Sequence, residues 1–308
     1  MSEIYIYSPS GAVRDKPALK RGQRFLKSMG HEVRIDEAAL LSQQRFAGTD
    51  EQRLAAIERA AQSGTRATLI SRGGYGLTRL LQDLPYAAIR RSIDSGVAWV
   101  GYSDFTALQL AVLARTGRIT WAGPALCDSF GPADGADDIT YDCFNDVLSG
   151  QGEGAGWRMA ASTATELHDK KPGVWARDAM LWGGNLSVLC SLLGTPYFPQ
   201  AKGGVLFLED IAEHPYRVER MLSQLLHAGV LAQQKAIILG QFTDYKLTPH
   251  DRGYNMKAVV QFLRGQIKVP ILTDLPFGHV ATRVCLPVGA SVDLLVEGRD
   301  VMLVWGHI

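Results

Sequence analysis

The stretch Val97–Gly117, "VAWVGYSDFTALQLAVLARTG", decides how the chain is read. A run of β-formers ends at Gly101, and such a run bounded by glycine reads as a buried strand. Asp104 then opens a segment in which Phe105, Leu108, Leu110, Ala111 and Leu113 recur near helical spacing. Ser103 stands between the two, a small hydroxyl on the corner from a strand into a helix.

Outward from this corner the same alternation repeats. "EIYIYSPSG" is a strand that breaks at Ser/Pro/Gly, and Leu19 to Met29 is a helix with Gly30 as its stop. "HEVRID" is a second strand. "GTDEQRLAAIERAAQSG" is a helix with Thr49 or Asp50 as N-cap and Leu54, Ile57 and Ala61 near helical spacing. "ATLISRGGYG" is a strand running into a glycine turn, followed by a short helix at Leu77 to Leu81, and "RITWAGPAL" follows the corner. Alternating strands and helices predict an α/β fold with a parallel sheet covered on both faces, here residues 1–150.

Residues 151–173 change in character, being rich in Gly, Ala, Ser and Thr with poor helical periodicity. They read as a connection able to contribute a strand of its own, leading into a second domain at 174–308. That domain holds "LWGGNLSVL", a tight turn with Asn185 as N-cap of a buried helix, then "GGVLFLEDI", "PYRVERMLSQLLHAG" and "KAIILGQF". Its tail has short apolar runs parted by Gly and Asp, which suggests antiparallel strands.

With 308 residues the chain has room for two domains, and 46 % hydrophobic against 20 % charged residues is enough for real cores. A formal net charge of +1 gives no global field for nucleic acid or an anionic membrane, so neither is expected as a partner. Apolar runs such as "AIILG" fall far short of the ~20 residues of a membrane span. The start, "MSEIYIYSPSG", has no basic stretch before an apolar core, so a cytoplasmic protein is expected. Four cysteines (Cys127, Cys143, Cys190, Cys285) lack any CxxC or zinc-type Cys/His spacing and read as small buried hydrophobes in a reducing compartment.

In open α/β sheets reactive groups gather just beyond the carboxyl ends of strands. Three places qualify: Ser103, the carboxylates Glu209, Asp210 and Glu213 after "VLFL", and His279 in "VPILTDLPFGH". A serine hydroxyl needs a general base, usually His, oriented by a carboxylate. A strand-to-helix corner would expose the hydroxyl and aim helix N–H groups at a developing oxyanion. The G-x-S-x-G elbow is not met, since Phe105 occupies the place of the second Gly. From spacing alone the default readings are Ser103 as an N-cap, His279 as an exposed loop histidine and the acids as a solvated cluster. "RGGYG" (Arg72 to Gly76) lacks the order of a dinucleotide fingerprint or a P-loop and fits better as a turn whose N–H groups approach a substrate.

Taken together, "RGGYG", "GYSDFTAL", "LWGGNLSVL…LLGTPY", "LFLEDIAEHPYRVERML" and "PFGH" resemble, in order and spacing, the LD-carboxypeptidases, serine peptidases of family S66 that trim murein tetrapeptides. The likeness spans nearly the whole chain and is nearest to the Gram-negative branch, with "RFAGTD" and "HAGVLAQQKAIILGQF" in support. The resemblance implies an N-terminal domain like class I glutamine amidotransferases and a smaller swivelling α/β C-terminal domain. It implies Ser103 as nucleophile, Glu209 as triad acid and His279 as base, split between the domains. The backbone N–H of Asp104, with one from the Gly73–Gly74 turn (Gly74 foremost), is the candidate oxyanion hole. Arg72, Gly73, Tyr75, Arg79 and Asn185 are candidates to bind substrate, the arginines for a carboxylate. Arg217 and Arg220 read as helix ion pairs.

The implied reaction removes the terminal D-alanine of L-Ala–γ-D-Glu–meso-diaminopimelate–D-Ala through an acyl-enzyme. It calls for no metal or organic cofactor, and the family implies a homodimer. Two alternatives stand beside it. One is a peptidyl-nucleotide hydrolase of the microcin-immunity kind, with Trp157, Trp175 or Trp182 as a nucleobase platform. The other is a murein-peptide-binding protein without turnover, disfavoured because all three reactive positions hold competent residues.

Overall fold

The computed structural model describes residues 1–167 and 171–308. In chain order the first part comprises β1 (Glu3–Tyr7), α1 (Lys16–Ser28), β2 (Glu32–Ile35), α2 (Asp50–Ala61), β3 (Ala67–Ile70), α3 (Tyr86–Asp94), β4 (Ala98–Gly101), α4 (Thr106–Thr116), β5 (Thr120–Ala122) and α5 (Asp138–Ser149). There follow β6 (Gly154–Arg158), α6 (Ala161–Glu166), β7 (Gly173–Asn185), α7 (Leu186–Leu192), β8 (Val205–Ile211), α8 (Pro215–His227), β9 (Ala236–Thr243), α9 (Met256–Gln266) and β10 (Ile271–Leu272). The chain closes with β11 (Leu286–Val288), β12 (Ser291–Glu297) and β13 (Asp300–Val304). No helix among the described residues is long and apolar enough to cross a membrane.

The chain divides into two compact units, one of Met1–Gly152, Gly194–Pro199 and Ala281–Val288, the other of Glu153–Leu193, Gln200–Val280 and Gly289–Ile308. The predicted connection at 151–173 carries β6 and α6 of the second unit, while residues 168–170 lie outside the described residues.

The first unit is built on a sheet of order β11-β5-β4-β3-β1-β2. Its five N-terminal strands are parallel, and β11 joins the edge antiparallel to β5. Ile4, Ile6, Leu69, Ile70, Val100 and Trp99 are fully buried, as expected of strands covered on both faces. The helix expected from Leu19 begins earlier, at Lys16, because Asp15 caps it by accepting from the N–H of Ala18, with a proline in the first turn. Thr49, rather than Asp50, is the N-cap of α2, within a reciprocal capping box with Gln52. The buried stripe of α2 is Arg53, Ala56, Ile57 and Ala60, one residue displaced from the expected Leu54 and Ala61.

The second unit holds a mixed sheet of order β10-β9-β8-β7-β12-β13-β6. β7 to β10 run parallel, and β12, β13 and β6 complete it antiparallel. The parallel half brings the carboxyl ends of β7, β8 and β9 side by side, with Asn185 in register with Glu209.

Candidate active site

In the first unit, β4 ends at Gly101 and the chain turns through a 3-10 turn at Ser103–Phe105 into α4. Tyr102 occupies the cap position of that turn, so Ser103 is its first residue and not its cap. The backbone of Ser103 is left-handed, with φ of 63°. For a residue with a Cβ this conformation costs on the order of 1–2 kcal/mol and is held only where surroundings dictate it. Gly101 makes the corner possible: a Cβ there would lie 2.7 Å from the Phe105 ring and 2.9 Å from Ile70. Phe105, in the place where the elbow motif has its second glycine, is fully buried and folds back under the corner.

Asp104 locks this corner to two loops. Its buried carboxylate accepts from the Ser10 hydroxyl and from the N–H of Leu77, each at 2.8 Å. Burial pushes its carboxyl upward in pKa, opposed by those hydrogen bonds and one from the Gly76 N–H. The "SPSG" edge of β1 and the "RGGYG" turn are thereby fixed against the serine. Gly73 is the closest part of that turn: a Cβ on it would sit 2.8 Å from the Ser103 Cβ, 2.9 Å from Oγ and 3.6 Å from the Asp104 nitrogen. Arg53 braces the turn from below, wholly buried, with Nη1 donating to the carbonyls of Pro9 and Gly76 at 3.1 and 2.9 Å and Nη2 paired with Asp50 at 2.5 Å.

The remaining candidates of this unit have definite places. Arg72 lies against Gly11 and Gly74 and donates to the carbonyl of Ala12 at 3.3 Å. Arg79 is committed to Asp50 at 2.8 Å and stacks over Phe46. Tyr75 is half exposed on Phe46, with the Arg45 guanidinium 5.7 Å from its ring centre.

In the second unit, Glu209 is wholly buried at the end of β8, and its Oε2 lies 2.8 Å from Nδ1 of His279. A buried carboxylate is tolerable only when protein donors replace water, and Asn185 supplies a further one, donating from Nδ2 to Glu209 Oε1 at 3.1 Å. Asn185 also caps α7, its Oδ1 accepting from the N–H of Val188 at 3.1 Å, as its sequence position foretold. The same Nδ2 lies 3.0 Å from Asp210 Oδ1. Asp210 is held by further donors, the N–H groups of Ser187 and Ile211, at 2.9 and 2.8 Å. Burial, and then the charge of Glu209, push its carboxyl up to about 6. Glu213, just before α8, pairs with Arg217 of its first turn at 3.6 Å. Of the three acids open to sequence reasoning, the imidazole selects Glu209.

Two contributors had no role in the sequence reading. Ser10, at the carboxyl end of β1, could have been found by the strand-end rule. Arg53 could not, because a buried arginine inside an apolar helix stripe looks like a solvent-facing residue.

Residues 4–123 match the model of the LD-carboxypeptidase N-terminal domain, and residues 178–294 match that of the LD-carboxypeptidase C-terminal domain. The chain therefore belongs to the LD-carboxypeptidase family, as its five ordered motifs foretold. Among solved structures it resembles the muramoyltetrapeptide carboxypeptidase of Oxalobacter formigenes, with a TM-score of 0.85 and 37 % identity over 99 % of this chain and 98 % of that one. It is 30 % identical to the "Probable murein peptide carboxypeptidase" of Bacillus subtilis over 90 % of this chain and 84 % of that protein. It is also 26 % identical to the microcin C7 self-immunity protein of Escherichia coli, over 96 % of this chain and 90 % of the relative.

Proposed function

We propose that the protein is a serine-type L,D-carboxypeptidase that releases the terminal D-alanine from murein tetrapeptides. The observation that carries this reading is the left-handed Ser103 on its strand-to-helix corner. Strain of this kind persists where a side chain must be presented at one angle. The Glu209–His279 pair, its carboxylate buried and its imidazole partly exposed, supplies the base that such a hydroxyl needs.

His279 takes the Ser103 proton as Oγ attacks the carbonyl before the D-alanine. Glu209 holds the ring with its proton on Nδ1 and stabilises the imidazolium that forms. The N–H of Asp104, with one from the Gly73–Gly74 turn, receives the oxyanion, each such donor lowering the barrier by about 3 kcal/mol. His279 then protonates the leaving amine, and water hydrolyses the acyl-enzyme.

The test is incubation with the diaminopimelate tetrapeptide and its pentapeptide counterpart, following D-alanine release by mass spectrometry. Loss of one D-alanine from the tetrapeptide alone, abolished in Ser103→Ala, is the expected result. A folded protein that cleaves neither would sink the murein reading and favour a peptidyl-nucleotide substrate, the second reading that the microcin self-immunity relative supports. Trp182 is no platform for a nucleobase in that case, being buried with its Nε1 on Gln234 at 2.9 Å.

A further inference from the structure

The second unit contains a cavity of about 290 Å³ in which the reaction above uses no residue. Its size is at the lower end of small-ligand sites, roughly 300–1,000 Å³. It opens at the carboxyl ends of β9 and β10, where open α/β sheets place ligands. Lys257, Gln261 and Arg264 line it from α9; their spacing puts them on one helix face. Glu166 and Asp274 add two carboxylates.

Arg264 is tied by one nitrogen to Glu166 and by another to the carbonyl of Ile271 at 2.6 Å, but its buried Nε has no partner among the described residues. A buried N–H left unpaired is costly, so among the described residues the guanidinium is short of one acceptor. Asp274 accepts from the N–H of Ala160 at 2.9 Å with its backbone in the left-handed region, at φ of 67°. Among the described residues, two cations against two carboxylates leave the lining without net charge. A phosphate would find too little positive charge there, and a neutral ligand would desolvate four charged groups without compensation.

We propose that this cavity binds the headgroup of an amino acid, a carboxylate beside an ammonium. The carboxylate lies between Lys257 and Arg264, and the ammonium meets Asp274. Phe242 and Val260 supply an apolar wall for the carbon chain. The site is wired to the acid–base pair within its own unit. Gln241, in its wall, donates from its backbone N–H to the carbonyl of Phe277 at 2.8 Å and from its side chain to that of Leu275 at 3.1 Å. The Thr243 hydroxyl donates to the carbonyl of His279 at 3.3 Å. An occupied cavity therefore stiffens the loop that carries His279.

This chemistry has two sources. One is a free amino acid such as the D-alanine released. The other, which rests on the proposed function, is the free end of the diaminopimelate side chain in the tetrapeptide. The experiment is calorimetric titration of the intact protein with meso-diaminopimelate and with D-alanine, on wild type, Lys257→Glu and Lys257→Arg. Lys257 is exposed, so neither variant threatens the fold. Saturable binding of at least one ligand is expected, weakened about tenfold or more by the charge reversal and within about threefold in the arginine variant. Tighter D-alanine marks a free amino acid as the source. Tighter diaminopimelate, with a tenfold fall in kcat/KM for the diaminopimelate but not the lysine tetrapeptide in Lys257→Glu, marks the substrate. No saturable binding of either up to about 20 mM, or binding indifferent to Lys257→Glu, overturns the proposal. Calorimetry needs no turnover, so failure of this proposal and failure of the carboxypeptidase reading are distinguishable.

Discussion

Nδ1 of His279 lies 2.8 Å from Oε2 of Glu209, a carboxylate with no exposure to water at all. An ionised carboxylate can only accept, so the contact assigns the proton of the neutral ring to Nδ1 and the lone pair to Nε2. With one oxygen on the imidazole and the other on the Asn185 amide, Glu209 has little freedom to turn.

Glu209→Gln offers Nδ1 a donor where it needs an acceptor and favours the wrong tautomer. We expect kcat to fall by about 10³–10⁴ with KM nearly unchanged. Asp210→Asn, which does not touch the ring, should lower kcat by less than about tenfold. Steady-state kinetics on the tetrapeptide decide between them, and the reverse ranking would move the acid to Asp210.

Asp210 also makes stability depend on pH. Its carboxyl titrates near 3.8 ordinarily and near 6 in the fold, raised by burial first and by Glu209 second. Between these values the native protein holds a proton that the unfolded chain has released. The group's favourable contribution is therefore complete below about pH 4 and lost as pH rises to about 6, on the order of 2–3 kcal/mol. Asp210→Asn should lower stability, because the amide loses an acceptor for the Ser187 or Ile211 N–H, but flatten this slope. Urea unfolding at several pH values measures it, and parallel curves for the two proteins would refute the assignment.

Ser103→Gly should abolish turnover yet make the fold more stable, by about 0.5–1 kcal/mol. It exchanges the left-handed strain for the smaller entropy cost of glycine. Ser103→Ala keeps the Cβ and should leave stability unchanged while also being inactive. Denaturant midpoints of the three proteins test this; a glycine variant less stable than wild type would mean the corner is not strained.

Gly73→Ala places a methyl 2.9 Å from Oγ and 2.8 Å from Cβ of Ser103. Displacing the hydroxyl by even a fraction of an ångström should cost about 10²-fold in kcat. The clash is with one residue, so the same substitution in a Ser103→Gly background should be nearly neutral for stability. A double-mutant cycle reads the coupling directly, and additive effects would contradict it.

Strand ends and helix caps were readable because each rests on local chemistry: Ser103 after a β run, Asn185 before an apolar segment, and a cap for α2 narrowed to Thr49 or Asp50. What stayed hidden depends on partners far along the chain. A serine gives no local hint of a left-handed backbone, and the choice of Glu209 over Asp210 needs His279 in place. β11, read as part of an antiparallel tail, pairs instead with β5 of the first unit, a pairing that three residues in sequence could not announce. The motif resemblance supplied what periodicity lacked, because the spacing of five motifs is itself long-range information.

The left-handed corner at residue 103 also narrows what mutation can reach there. A β-branched side chain is strongly disfavoured at positive φ, so threonine, the one other hydroxyl of similar reach, would have to distort the turn that Gly101 and Phe105 define. Glycine, asparagine and aspartate suit the backbone but bring no comparable nucleophile. Only cysteine among nucleophilic side chains matches serine in shape, which leaves a lineage drifting at this position with a thiol or with silence.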